Sequence, residues 1–285
     1  MFFLCSSWWS HKVNTLKFSS GSTLVYERYP VHSGSFGSIH QAQYKCSKKA
    51  PQEVALKITC PKRCRIDEAL FIKELQEEPE VIHVWDTFYD QRINKLYIAM
   101  DLCAQDLFDY IDDHRYLEVT KIKYITKWLL HAVQHCHNHR IVHSDIKMGN
   151  IGLLVQDDLS SLKLLDFGNA KRIDFKKCYG AEGFLSSPST ACPEMISGDV
   201  LHGEEAFGID VWAVGVVLYS MIHQRFPFPF TTSPVFHITF KELYFTKDTS
   251  TDYLQAKDLI NKLLEWDYKK RIQIEEALQH PFITS

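Results

Sequence analysis

Two short runs hold residues of the right types and spacing for chemistry: IVHSDIKMGN at Ile141–Asn150 and LLDFG at Leu164–Gly168. They place Asp145, Lys147, Asn150 and Asp166 on loops that follow apolar, strand-like segments. A set of two carboxylates, one ammonium and one amide suits phosphoryl transfer. One carboxylate receives the proton of the attacking hydroxyl, and the cation neutralises the moving phosphate. The amide and the second carboxylate hold Mg²⁺ against the nucleotide.

The pattern H-x-D-x-K-x-x-N followed by DFG resembles the catalytic loop and metal-binding triplet of the eukaryotic-type protein kinases. That resemblance implies ATP and Mg²⁺ as cofactors. It makes Asp145 the general base and substrate orienter, Lys147 the γ-phosphate clamp, and Asn150 and Asp166 the metal ligands. Lysine two residues after Asp145 resembles the serine/threonine kinases, so the expected acceptor is a protein Ser or Thr hydroxyl. The implied fold is α+β and bilobal, with a small antiparallel β-sheet lobe carrying one helix and a larger, mainly helical lobe. Residues 1–22 would be a short N-terminal arm, 23–102 the small lobe and 103–285 the large lobe, with the kinase domain itself at about 24–283.

Several elements must position these residues. From Leu24 to Tyr44, alternating apolar positions flank a glycine-bearing turn, which reads as a hairpin. The resemblance makes this turn the phosphate-covering loop, with Val31, Ser33, Gly34, Ser35, Phe36, Gly37 and Ile39 against the nucleotide. His32 stands where the family usually has its first glycine, and it should restrict the loop. VALK at Val54–Lys57 resembles the family's third strand, with Ala55 beside the adenine and Lys57 on the α- and β-phosphates. The segment Ile66–Gln76 has helical spacing, with Ile66, Ala69, Leu70 and Leu75 apolar. Its Glu68 is the expected partner of Lys57, and Glu74 a solvated alternative.

Two further strand-like runs, Val81–Tyr89 and Lys95–Leu102, lead to the expected interlobe hinge. There the resemblance places Met100 behind the adenine, Asp101 to Cys103 at the hinge, and Asp106 as a ribose- or substrate-contacting acid. This segment and AVQHCHNHRIVH resemble the calcium/calmodulin-dependent group and the Pim-type kinases, without the extra hinge residues of the latter. Val119–His137 reads as a long helix with Ile122, Ile125, Trp128, Leu129 and Ala132 on one face. The histidines at 135, 137, 139 and 143 do not share a face, which argues against a metal site. His143 would pack in the core instead.

Ser144 replaces the arginine that usually precedes the catalytic aspartate, which predicts activity without phosphorylation of the following loop. Gly152 stands where a leucine usually floors the adenine, with Leu153 as the substitute. The segment Asn169–Glu194 matches the activation loop, with Phe167 expected under the helix of Glu68. Ser187-Pro188 would face the substrate, Glu194 would pair with Arg271, and Asp210 would brace the catalytic loop. Asp106, Asp109, Asp112 and Asp113 form an acidic stretch that could select basic substrates or be a solvated face, and Gly149 lacks the glutamate that basophilic relatives often carry there.

The 285 residues are 45% hydrophobic and 24% charged, as in ordinary globular proteins. A net charge of -3 gives no reason to invoke nucleic acid or an anionic membrane as partners. Eight irregularly spaced cysteines fit reduced thiols in the cytoplasm or nucleus. Cys60 and Cys64 lack a second pair at zinc spacing. MFFLCSSWWS is too short and lacks the basic flank of a signal peptide. No later run approaches the ~20 apolar residues of a membrane span. No regulatory domain is expected beyond Ile283. A pseudokinase scaffold is the competing expectation, raised by His32, Ser144 and Gly152. A kinase of small molecules is a third.

Overall fold

The computed structural model describes residues 13–34, 37–46, 50–59, 67–228 and 243–285. The sequence readings at Ser35, Phe36, Cys60, Cys64 and Ile66 lie outside them. The chain divides into two compact units, one comprising the residues up to Asp106 with Gly152–Gly168, the other Leu107–Ile151 with Asn169–Ser285. Gly152–Gly168, which carries the DFG triplet, belongs with the sheet unit in this division.

The first unit is built on an antiparallel sheet. Its strands are β1 (Val13–Lys17), β2 (Thr23–Glu27), β3 (His32–Gly34), β4 (Gly37–Lys45), β5 (Gln52–Thr59), β6 (Val84–Asp90) and β7 (Lys95–Asp101). They run in the order β1-β2-β4-β5-β7-β6, with β3 hairpinned onto β4. β5 lies between two partners and is buried at four successive residues, Val54 to Lys57. Alternation along the strand puts Lys57 on the face of Ala55, opposite Val54 and Leu56. Phe18, Leu24, Ala42, Tyr44, Tyr97 and Ala99 join the last two in one core cluster.

Within the segment read as an N-terminal arm, Val13–Lys17 forms β1, which pairs with β2 from Val13↔Glu27 to Lys17↔Thr23. Gly21, at φ +84°, supplies the left-handed turn that reverses the chain. Ser22 and Tyr44 both donate to Asp86 Oδ2, at 2.8 and 3.3 Å, and tie this hairpin to β6.

The first helix, α1, spans Asp67–Glu74, and its buried side chains are Glu68, Ala69, Phe71 and Ile72. Leu70, read from the sequence as part of the apolar face, is exposed. The inward face is set by Glu68 turning toward Lys57, and Leu70 then points away. A short strand, β8 (Gln105–Asp106), with β10 (Ile151–Leu153) and β11 (Leu162–Leu164), forms a small second sheet in the order β11-β10-β8.

The second unit is mainly helical. It contains α2 (Leu107–His114), α3 (Val119–Asn138), α4 (Pro193–Ser197), α5 (Gly208–His223), α6 (Thr251–Leu263), α7 (Ile274–Leu278) and α8 (Pro281–Thr284). Two strand pairs complete it: β9 (Ile141–Val142) with β12 (Lys171–Arg172), and β13 (Cys178–Gly180) with β14 (Val200–His202). In α3, Ile122, Ile125, Leu129 and Ala132 are buried at helical spacing, while Trp128 is only half-buried.

α5 is apolar on all sides and almost wholly buried. Gly203–His223 is long and apolar enough to cross a membrane by composition, contrary to the expectation that no run approached that length, yet 83% of its apolar window is buried inside the protein. A helix enclosed by other elements needs no polar face. Near its start, Arg271 donates two hydrogen bonds to Glu194, at 2.6 and 3.0 Å, and one to the Gly208 carbonyl at 2.7 Å. Both partners of this ion pair are buried. Removing either would strand a charge, a loss of about 3–5 kcal/mol.

Candidate active site

In the first unit, Lys57 is the centre of a buried cluster. Its Nζ donates to Glu68 Oε1 and to Asp166 Oδ1, each at 2.6 Å. β5 fixes the lysine, α1 the first carboxylate, and the loop after β11 the second. Glu74, the competing glutamate, is exposed at the end of α1. Burial alone would lower the Lys57 pKa, but Glu68 and Asp166 more than reverse it, so the ammonium holds its proton well above the ordinary lysine range. Asp166 adopts the left-handed φ of +57°, and its Oδ1 also accepts the Gly168 N–H at 3.1 Å. Its side chain remains 28% exposed, while Phe167 beside it is buried. A non-glycine residue in that region of backbone space is strained, and such strain concentrates at functional loops.

Ser33, Gly34, Gly37, Ile39, Ala55 and Met100, also expected around the nucleotide, lie on strands of the same sheet. Ile39 pairs with His32 on one side and with Lys57 on the other. Ala55 pairs with Met100 across β5 and β7. Val31 and Ser33 are exposed, and Gly34 pairs with Gly37 at the base of the turn. A Cβ on Gly37 would lie 2.2 Å from the Ile58 carbonyl oxygen, so glycine is obligatory there. His32 is different. It is exposed, forms part of β3 and is absent from the left-handed residues, so its backbone makes no demand for glycine. The anticipated restriction therefore has no backbone origin.

At the end of β7, Asp101 accepts the Trp85 indole N–H at 2.7 Å, and Ala104 N–H donates to the Leu153 carbonyl at 2.8 Å. Asp106 pairs with Gly152 and Gln105 with Leu153, which is fully buried. The reason for Gly152 is visible here. A Cβ at that position would lie 2.5 Å from Cys103 Sγ and 2.9 Å from Leu165 Cδ1. The Cys103 side chain fills the space that a larger residue 152 would need. Burial, with Asp101 and Asp106 nearby, pushes its thiol up to about 12.

In the second unit a carboxylate takes the central place. Asp145 is buried and accepts on both oxygens. Oδ1 takes the Ser187 backbone N–H at 3.0 Å and the Ser187 hydroxyl at 2.8 Å. Oδ2 takes Lys147 Nζ at 2.9 Å and Asn150 Nδ2 at 3.0 Å. Lys147 also donates to Ser187 Oγ at 2.7 Å. One hydroxyl oxygen thus bridges the gap between the carboxylate and the ammonium. Asn150 gives its Nδ2 to the Asp145 carbonyl as well, at 2.8 Å, which directs its Oδ1 away from Asp145.

Asp210, at the start of α5, braces the loop that carries these groups. Its Oδ2 accepts the His143 N–H and its Oδ1 the Ser144 N–H, both at 2.8 Å. Ser144 is thereby held at φ +69°, and its buried hydroxyl has no hydrogen-bond partner among the described residues. His143 is fully buried. His137 was not recognised from the sequence as part of this support. Its Nε2 lies 3.0 Å from Asp210 Oδ2, and its ring stacks on Phe207 at 4.2 Å. The only signal in the sequence was a polar residue on the inward face of α3.

The model of the protein kinase domain matches residues 30–283. The chain is 30% identical to a carbon catabolite-derepressing protein kinase of Candida glabrata over 96% of its own length and 44% of the relative's. It is 28% identical to calcium-dependent protein kinase 5 of Plasmodium berghei, over 89% of this chain and 44% of that one. A probable serine/threonine-protein kinase of Zea mays, CCRP1, is 31% identical over 76% of this chain and 34% of its own. The chain belongs to the protein kinase domain family, and its sheet unit and helical unit are those of that fold. It spans less than half the length of these curated relatives.

Proposed function

We propose that this domain transfers the γ-phosphate of ATP to serine or threonine hydroxyls of proteins. The observation that carries this reading is Asp145, a buried carboxylate that already accepts a hydroxyl hydrogen bond at 2.8 Å, next to an ammonium within 2.7 Å of the same hydroxyl oxygen. An acceptor hydroxyl placed alike would lose its proton to Asp145 as Lys147 neutralises the phosphate it attacks. The names of the relatives support the same activity.

The donor chemistry suits Mg²⁺. Asn150 and Asp166 offer oxygen atoms, which a hard divalent cation prefers to nitrogen or sulfur. The ion would neutralise nucleotide phosphate charge. Lys57, held cationic by Glu68 and Asp166, would bind the α- and β-phosphates, with Ile39, Ala55 and Met100 along the adenine. A scaffold without turnover would have no need of an intact Lys57, Asp145, Asn150 and Asp166.

Basic substrates are one class that the acidic residues near the hinge would suit. Asp109, Asp112 and Asp113 lie on α2, with the latter two exposed. The described cysteines are free thiols, which fits a reducing compartment such as cytoplasm or nucleus. Radiolabelled phosphate transfer to a mixed peptide array, with Asp145→Asn as control, tests both activity and preference. Label on serine and threonine peptides that vanishes in the control supports the proposal. Equal labelling by the two proteins, or none by either, overturns it.

A further inference from the structure

A second nucleophile lies outside the phosphoryl-transfer residues. Cys178 in β13 and His202 in β14 are direct cross-strand partners, and the strand register brings Cys178 Sγ to 3.0 Å from His202 Nδ1. Both side chains are exposed. His202 is the N-cap of the turn Gly203–Phe207, and its backbone N–H donates to Glu205 Oε2 at 2.8 Å, which fixes the backbone that carries the imidazole. In the tautomer with Nδ1 unprotonated, the thiol donates to the imidazole. A nucleophile with a base within hydrogen-bond reach is the arrangement that activates thiols.

The other described cysteines lack this arrangement. Cys136 and Cys192 are buried, and burial pushes the Cys192 thiol up. Cys103 packs on Gly152. Cys46 is exposed like Cys178, but no hydrogen bond to a base is found for it among the described residues.

We propose that Cys178, assisted by His202, is a site of covalent modification by soft electrophiles and peroxides. With an alkyl iodide, His202 Nδ1 takes the thiol proton, sulfur forms a bond to carbon and iodide leaves. With hydrogen peroxide, the thiolate attacks one oxygen and the O–O bond breaks. The leaving hydroxide takes the proton back from the imidazolium as water. Sulfur is oxidised to sulfenic acid by two electrons and the peroxide is reduced. The pair lies in the segment Cys178 to His202 that also carries Ser187, but the inference does not depend on phosphate transfer.

The test is the rate of iodoacetamide labelling at neutral pH, followed for each cysteine by peptide mass mapping of the full chain. Cys178 is expected to react at least about tenfold faster than Cys46, a conservative share of what a positioned base contributes. His202→Asn keeps a polar side chain of similar reach and removes the base. It should lower the Cys178 rate to that of Cys46 and leave the Cys46 rate unchanged. Dimedone trapping after peroxide should follow the same order. Equal rates at the two cysteines, or a Cys178 rate that His202→Asn leaves intact, would overturn the assignment.

Discussion

The two polar clusters of this domain are inverted copies of one electrostatic idea. In the first unit a cation is central and two carboxylates hold it, whereas in the second a carboxylate is central and donors hold it. Lys57 is buried to 6% side-chain exposure and Asp145 to 2%. The partners at the rim are freer, with Asp166 at 28% and Lys147 at 33%. In each cluster the buried member is fixed by a strand or a braced loop, and the rim member can change partners. A fixed positive charge suits a site that must receive phosphates, and a fixed carboxylate suits one that must receive a proton. Preorganised charge needs no rearrangement during reaction.

The largest test removes the centre of the second cluster. Asp145→Asn should lower phosphate transfer about 10²–10⁴-fold, the range for loss of a general base, with nucleotide binding retained. Lys147→Ala, at the rim, should lose less. Equal losses in steady-state kinetics would erase the distinction between centre and rim.

Removing the centre of the first cluster has a second consequence. Lys57→Met should cut activity about 10²–10³-fold. It should also lower unfolding free energy by about 3–5 kcal/mol, because Glu68 is left buried beside Asp166 without its cation. Adding Glu68→Leu should restore the denaturation midpoint and leave activity low. Recovery of both would mean that the lysine acts only structurally.

The packing of Cys103 against Gly152 is a smaller effect within the first unit. Gly152→Ala should destabilise by about 1–3 kcal/mol through overpacking, and Cys103→Gly in the same chain should relieve part of that in chemical denaturation. The pH dependence follows from the thiol. An unfolded thiol ionises near its usual 9.0 and the folded one near 12, so above pH 9 the unfolded chain sheds a proton that the folded chain keeps. Stability from this group is intact below pH 9 and falls as pH rises toward 12. Cys103→Ala should flatten that slope.

The smallest effect is expected at the sheet rim. His32→Gly should change nucleotide affinity by less than about twofold, as is usual for an exposed substitution without special backbone geometry. A tenfold gain in isothermal titration would show that the imidazole obstructs the loop through its side chain.

The catalytic loop and the DFG triplet were legible because their chemistry lies within ten and five consecutive residues. Short runs that combine rare residue types at fixed spacing survive the loss of all other information. Glu68 was separable from Glu74 only by analogy until α1 was seen to turn Glu68 inward and Leu70 outward. β1 was missed because Val13–Lys17 is a short edge strand with little burial of its own. Its pairing depends on β2 and on the turn at Gly21.

By itself the sequence determined which groups do chemistry and the order in which the chain supplies them, since both are properties of covalent neighbours. Tertiary structure alone decided which partners those groups hold. Asp210 reaches the catalytic loop from 67 residues away, and Lys57 meets Asp166 across 109. Nothing in a local pattern specifies such distances, because they are fixed by how helices and strands bury their apolar faces. Gly152 shows the same division most plainly. It reads as a missing side chain in the sequence, and the fold gives the reason, a thiol from Cys103 already in the space.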